Sequence, residues 1–139
     1  MTSVPHYSLG FLSDPNYLTE SLVVEGADPV FLKRALEKML MIRSTEYEIA
    51  EMVKAGQVKC PCHLAISQEA ISVGLAEALT PQDRAFGNHR SHAHYLAMGG
   101  SLQGLFDEVL GRATGCSKGM GGSMHIFAGD VGFHGSVPI

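Results

Sequence analysis

Ten of the sixteen glycines fall after position 99, and no other feature constrains this chain as much. Glycine reaches positive φ without steric cost and weakens the interior of helices and strands, so a late run of it predicts loops with special backbone geometry. From Gly111 to Gly135 the chain is expected to be loop. Regular structure must then lie earlier in the 139 residues. Asp28-Pro29 reads as an N-cap followed by proline at the first helical position. Leu32, Ala35, Leu36, Met39, Ile42, Ile49, Ala50 and Val53 follow at helical spacing, and Gly56 is a stop. Arg43 and Glu46 interrupt this stripe; a surface charge pair is the preferred reading, with a functional role as the close alternative. Ser67 is placed to cap a helix over about Gln68 to Leu79, with small residues for close packing. Thr80-Pro81-Gln82-Asp83 is a turn, and Arg84-Ala85-Phe86-Gly87 a short buried strand. Further helices are expected from near Ser91 to Gly99-Gly100, and from a Ser101 cap to Leu110 with a stop at Gly111. Residues 1–27 read as an extended arm, because Pro5, Gly10, Pro15 and Gly26 break any period, with Tyr7, Leu9, Phe11 and Leu12 available for packing.

Composition excludes several classes. A formal charge of −4 and a pI near 5.9, with no basic cluster, argue against a partner that is a phosphate backbone. The first 25 residues hold no Lys or Arg, so neither an ordinary signal peptide nor an Arg-rich transit peptide is expected. No apolar run approaches the roughly 20 residues of a membrane span. Three cysteines, two of them separated by one residue, do not form a disulfide framework, and a reducing, cytoplasmic setting is expected.

Three constellations could carry chemistry. Cys60-Pro61-Cys62-His63 offers zinc-type ligands, but structural zinc sites usually space paired cysteines by two or more residues and no second pair follows. Two small buried cysteines near a turn are the preferred reading there. His63 precedes a polar helix start, where an imidazole can orient a substrate or carry a proton; a structural histidine is the alternative. His89-Arg90-Ser91-His92-Ala93-His94 links a strand to a helix. Such a turn offers backbone N–H groups and a positive dipole end to an anion, and Arg90 adds a fork of donors. The alternative is a solvated helix face. Gly115-Cys116-Ser117-Lys118-Gly119-Met120-Gly121-Gly122-Ser123-Met124-His125 is neither a P-loop nor a dinucleotide fingerprint. It is a compact loop with many available N–H groups, a candidate lid or interface.

Together these segments resemble one family. CHLAISQEAISVGLAEAL at 62–79, NHRSHAHYLAMGG at 88–100, GRATGCSKGMGGSMHIF at 111–127 and GFHGSVPI at 132–139 are similar, in order, to motifs of the alpha subunit of thiamine-diphosphate-dependent 2-oxo acid dehydrogenases. Pyruvate, acetoin and branched-chain dehydrogenases make up that family. The resemblance covers roughly residues 30–139. Ser67 stands where the family usually has Gly, which as a helix cap would cost little, and Met120 where it often has Lys. The Gly-Asp-Gly and Asn that hold Mg²⁺ in the family are not in these residues, and are expected beyond residue 139.

The resemblance implies an α/β fold, a parallel sheet with helices on both faces, of which residues 28–139 would be a truncated, helix-rich N-terminal portion. It implies thiamine diphosphate as an electron sink for decarboxylation. It implies a site shared with a beta subunit and transfer of the acyl unit to a lipoyl-bearing acyltransferase. Residue by residue, His63 matches a histidine on the substrate side. His89 and Arg90 match positions that hold the diphosphate. Pro138 and Ile139 match backbone positions beside the pyrimidine. His92 matches a variable position. No 2-oxo acid turnover is expected of these residues alone. Three other readings are an inactive or partner-binding remnant, a zinc protein and a transketolase-like half enzyme.

Overall fold

The computed structural model describes residue 14 and residues 24–136. The expected arm therefore lies outside the described residues, apart from Asp14 and residues 24–27, as do Pro138 and Ile139.

Helix α1 spans Pro29–Lys54. It starts where the local chemistry predicts: the Asp28 carboxylate accepts the Val30 N–H at 2.9 Å, with Pro29 in the first turn. It ends at the Ala55 cap, and Gly56 turns away at φ +69°. The buried residues Ile42, Thr45, Glu46 and Ile49 recur at the spacing of one helix face. The apolar stripe is thus narrower than expected: Leu36 and Val53 are exposed, and two polar side chains point inward. Helix α1 lies against α2 (Glu69–Ala78) and α3 (His92–Ala97), with its fully buried side chains in its middle part. Arg43 does not pair with Glu46. Its guanidinium reaches across to α2 and grips Glu69 in two bonds of 2.6 and 2.9 Å, which hold that carboxyl at a pKa of about 2.

The start of α2 departs from expectation. Ser67 does not cap it; Gln68 occupies the cap position without a side-chain bond. Ser67 instead adopts φ +71°, the left-handed region that glycine favours. Its N–H is tied to the Glu69 carboxylate at 3.2 Å. Glycine at this position therefore serves a backbone need, and serine incurs strain. Ser67→Gly is expected to stabilise the fold by about 1 kcal/mol, or a few degrees in Tm. A thermal melt without any rise would remove this account.

Strand β1 is Ala85–Gly87, and helix α4 is Leu102–Val109, capped as expected by Ser101, which accepts the Gly104 N–H at 3.0 Å. The stretch from Gly111 to Gly135 is not all loop. Gly122–Met124 and Gly129–Val131 are 3₁₀ turns, and β2 runs over Phe133–Ser136. The two strands pair in parallel, Ala85 opposite Phe133 and Gly87 opposite Ser136, with an irregularity between. This is the expected α/β arrangement in small form: a parallel pair in a helix-rich chain. The core joins Ile42 and Ile49 of α1, Val73 of α2, Tyr95 and Leu96 of α3, Leu105 and Val109 of α4, and Phe133 of β2. Phe133 meets Tyr95 edge-on at 6.1 Å between ring centres. Among the described residues no helix is long and apolar enough to cross a membrane.

Candidate active site

The segment after α1 and the turn after β1 meet. His63, partly buried, stands edge-on to His89, with ring centres 4.6 Å apart and planes at 76°. Neither ring has a hydrogen-bond partner among the described residues, which leaves their nitrogens free for a ligand. Arg90 follows in sequence and is exposed, its guanidinium unpaired among the described residues. Its backbone N–H is committed, donating to the Asn88 side chain at 2.8 Å in an Asx turn. Of the Arg90 donors, only those of the side chain are left without a partner among the described residues. The turn is tight because a side chain at Gly87 would meet Ser91 Oγ at 1.9 Å. Opposite Gly87 in the sheet, Ser136 Oγ is buried without a partner.

The other two histidines of the cluster face inward. His92 is fully buried, so a solvated face does not describe it. Its Nδ1 lies 3.1 Å from Glu46 Oε2 and its Nε2 2.8 Å from Ser123 Oγ. The second Glu46 oxygen accepts the Ala65 N–H at 3.1 Å. Residues from α1, α3 and the glycine-rich loop therefore close on one dry hydrogen-bonded chain. His94 is half-buried, its Nδ1 has no partner, and burial pulls its pKa below the ordinary histidine value.

The amides of the glycine-rich loop are not available to a ligand. Glu108 of α4 is fully buried and accepts four of them: Ser117 at 2.6 Å and Gly119 at 2.9 Å on one oxygen, Gly121 at 2.8 Å and Gly122 at 3.0 Å on the other. The loop wraps so closely that a side chain on Gly121 would lie 2.2 Å from the His125 carbonyl, and Gly119 sits at φ +73° with a carbonyl 2.6 Å from where a Cβ would be. It is a nest already filled by the protein's own anion.

Cys60 and Cys62 are half-buried with sulfurs 4.0 Å apart, and Cys60 Sγ accepts the Ser123 N–H at 3.4 Å. Burial and the neighbouring thiol push Cys62 up to about 11, so it is a protonated packing group at neutral pH. Among the described residues no three His, Cys, Asp or Glu side chains converge as a metal set. The larger clefts lie apart from His63, His89 and Arg90. One of about 460 Å³, beside Cys60, is rimmed by Met120, which is 89% exposed; one of about 720 Å³ lies between Tyr95, Asp107 and Phe127. The site is an open face.

Of the residues singled out in the sequence, the fold brings His63 against His89, whose chain neighbour is Arg90, while Pro138 and Ile139 are outside the described residues. Glu46, Glu108 and Ser123 are the polar groups that sequence reasoning missed. One signal existed: Glu46 falls on the core-facing side of an otherwise apolar stripe.

Two histidine rings and an exposed arginine beside a parallel α/β pair describe a fold class and an open polar face. Comparison with known sequences makes the class specific. Residues 37–136 match the family model described as "Dehydrogenase E1 component". The chain is 39% identical over 107 residues to "Pyruvate dehydrogenase E1 component subunit alpha-1, mitochondrial" of Oryza sativa subsp. japonica, covering 77% of this chain and 27% of that one. It is 41% identical over 102 residues to the "Pyruvate dehydrogenase E1 component subunit alpha" of Rhizobium meliloti (strain 1021), covering 73% and 29%. The protein of that name from Zymomonas mobilis is 41% identical over 110 residues, covering 78% and 31%. The chain belongs to the dehydrogenase E1 component family, and it spans about a quarter to a third of the length of these relatives.

Proposed function

We propose that this chain supplies part of the alpha subunit of a thiamine-diphosphate-dependent 2-oxo acid dehydrogenase. The observation that carries the reading is the edge-on meeting of His63 with His89, with the unpaired Arg90 next to His89 in the chain. The donor set fits the cofactor: a free guanidinium suits a diphosphate, and the orphaned Ser136 Oγ offers a further polar contact at the end of β2. In this reading Arg90 and His89 hold the diphosphate, and the backbone at Pro138 and Ile139 borders the pyrimidine. His63 faces the substrate. When bound, thiamine diphosphate supplies the electron sink for decarboxylation. This chain's part is to hold the anion, orient the substrate carbonyl and carry a proton or a developing charge at the His63 ring.

Mg²⁺ is proposed to be held by residues outside this chain. A beta subunit is proposed to close the open face, and a lipoyl-bearing acyltransferase to take the acyl unit. Exposed Phe86 and half-exposed Phe127, both packed near His134, are apolar surface suited to such a cover. Pyruvate is the first substrate to assay, given the relatives' names, with acetoin and branched 2-oxo acids as further arms.

The test is Arg90→Ala in the assembled enzyme. A charge-assisted contact to a diphosphate contributes about 1.5–3 kcal/mol, so cofactor affinity is expected to fall roughly ten- to hundredfold. Titration with thiamine diphosphate in the presence of Mg²⁺ measures it. An unchanged dissociation constant would reduce Arg90 to a surface residue and remove the main support for this reading.

A further inference from the structure

Resting on that reading, the geometry points to Glu46 as a positioning residue: one buried carboxylate that holds the two halves of the site in register. The segment carrying His63 is irregular. Among the described residues, the only backbone N–H between residues 59 and 66 with a hydrogen-bond partner is that of Ala65, and its partner is Glu46 Oε1 at 3.1 Å. Ala65 lies two positions from His63. The other oxygen of Glu46 meets His92 Nδ1 at 3.1 Å, and His92 lies two positions from Arg90. Glu46 and His92 are both fully buried, and Glu46 projects from the middle of α1, the longest helix. The carboxylate thus spans the strands of chain that must present His63 and His89 edge to edge. His92 extends the tie to the glycine-rich loop through Ser123 Oγ at 2.8 Å.

The chemistry of the tie sets the test. Glu46→Asp keeps the charge but shortens the reach by one C–C bond, about 1.5 Å, so the two contacts cannot be made together. Glu46→Gln keeps the reach. Its oxygen still accepts from Ala65, and its amide donates to His92, whose ring then carries its proton on the nitrogen facing Ser123. Ile42→Val removes a buried methylene from the same helix face without touching either tie. In the assembled enzyme, Glu46→Asp is expected to weaken thiamine diphosphate binding about tenfold or more, and to lower turnover per folded molecule by a similar factor. Glu46→Gln is expected to stay within about threefold in both, because the geometry is rescued. Ile42→Val is expected to lower Tm and leave both unchanged.

Isolating each variant by gel filtration before titration restricts the comparison to folded, assembled protein. Glu46→Asp with wild-type affinity and turnover would overturn the inference, as would an Ile42→Val loss equal to that of Glu46→Asp, since Glu46 would then matter only as core. Failure of the wild-type enzyme itself to take up thiamine diphosphate would overturn the functional reading and this inference with it. Normal uptake by wild type with an unaffected Glu46→Asp overturns this inference alone.

Discussion

Glu108→Ala is expected to abolish cooperative folding of the region around α4 and the glycine-rich loop. The side chain is completely buried and accepts four backbone N–H groups. Removing it leaves four amide donors facing an apolar gap. Each buried, unsatisfied donor costs about 1–3 kcal/mol, against a total stability on the order of 5–15 kcal/mol for a domain. Glu108→Gln isolates the electrostatic part. Its oxygen can keep two of the amides, but its NH₂ points donors at the other two, for an expected loss of about 3–6 kcal/mol. That corresponds to a fall in Tm of more than about 10 °C. Circular dichroism melts measure the first effect. Hydrogen exchange at Gly119, Gly121 and Gly122 measures the second, since these amides should exchange early in the Gln variant. A Gln variant that melts like wild type, with protected loop amides, would show that the four contacts are not what holds the loop.

His63→Ala, in the assembled enzyme, is expected to lower turnover by about 10²–10⁴-fold, the usual cost of a positioned proton-transferring group. Cofactor affinity should change little, because the diphosphate is assigned to Arg90 and His89. The structural basis is a ring that is half-buried against His89 yet has no hydrogen-bond partner among the described residues. A histidine kept only for packing would behave otherwise: its loss would lower Tm and spare the turnover of the enzyme that remains folded. Full activity per folded molecule would reject the catalytic role. Together with Arg90→Ala, this variant separates binding from chemistry on the same open face.

Much of the helical framework was legible because its signals are local. The Asp28 cap, Pro29, the spacing of Ile42 and Ile49, the Ser101 cap and the turn at Gly111 each act within a few residues, and each appears where sequence places it. Short motifs likewise marked His63, His89 and Arg90, and the fold sets the first two rings edge to edge. Ser67 shows how a local signal misleads. Serine is a common cap, but this position requires a left-handed backbone, which no propensity of serine announces. Strand β2 was missed for a related reason: Phe133–Ser136 has little strand character of its own and is extended because it pairs with Ala85–Gly87, far back in the chain.

By itself, then, the sequence determined the limits of α1 and α4, that the later third would be governed by glycine, and which family motifs the chain carries in order. Tertiary structure alone decided what the buried polar groups do. Arg43 and Glu46 lie three residues apart and read as partners, yet one grips Glu69 on α2 and the other Ala65 and His92. The loop amides looked free for a ligand until Glu108, from another element, was found to fill them. Burial makes the difference. A polar side chain withdrawn from water must find partners wherever the folded chain brings them, and the stripe around Glu46 marks a polar group facing the core without naming His92 as its partner.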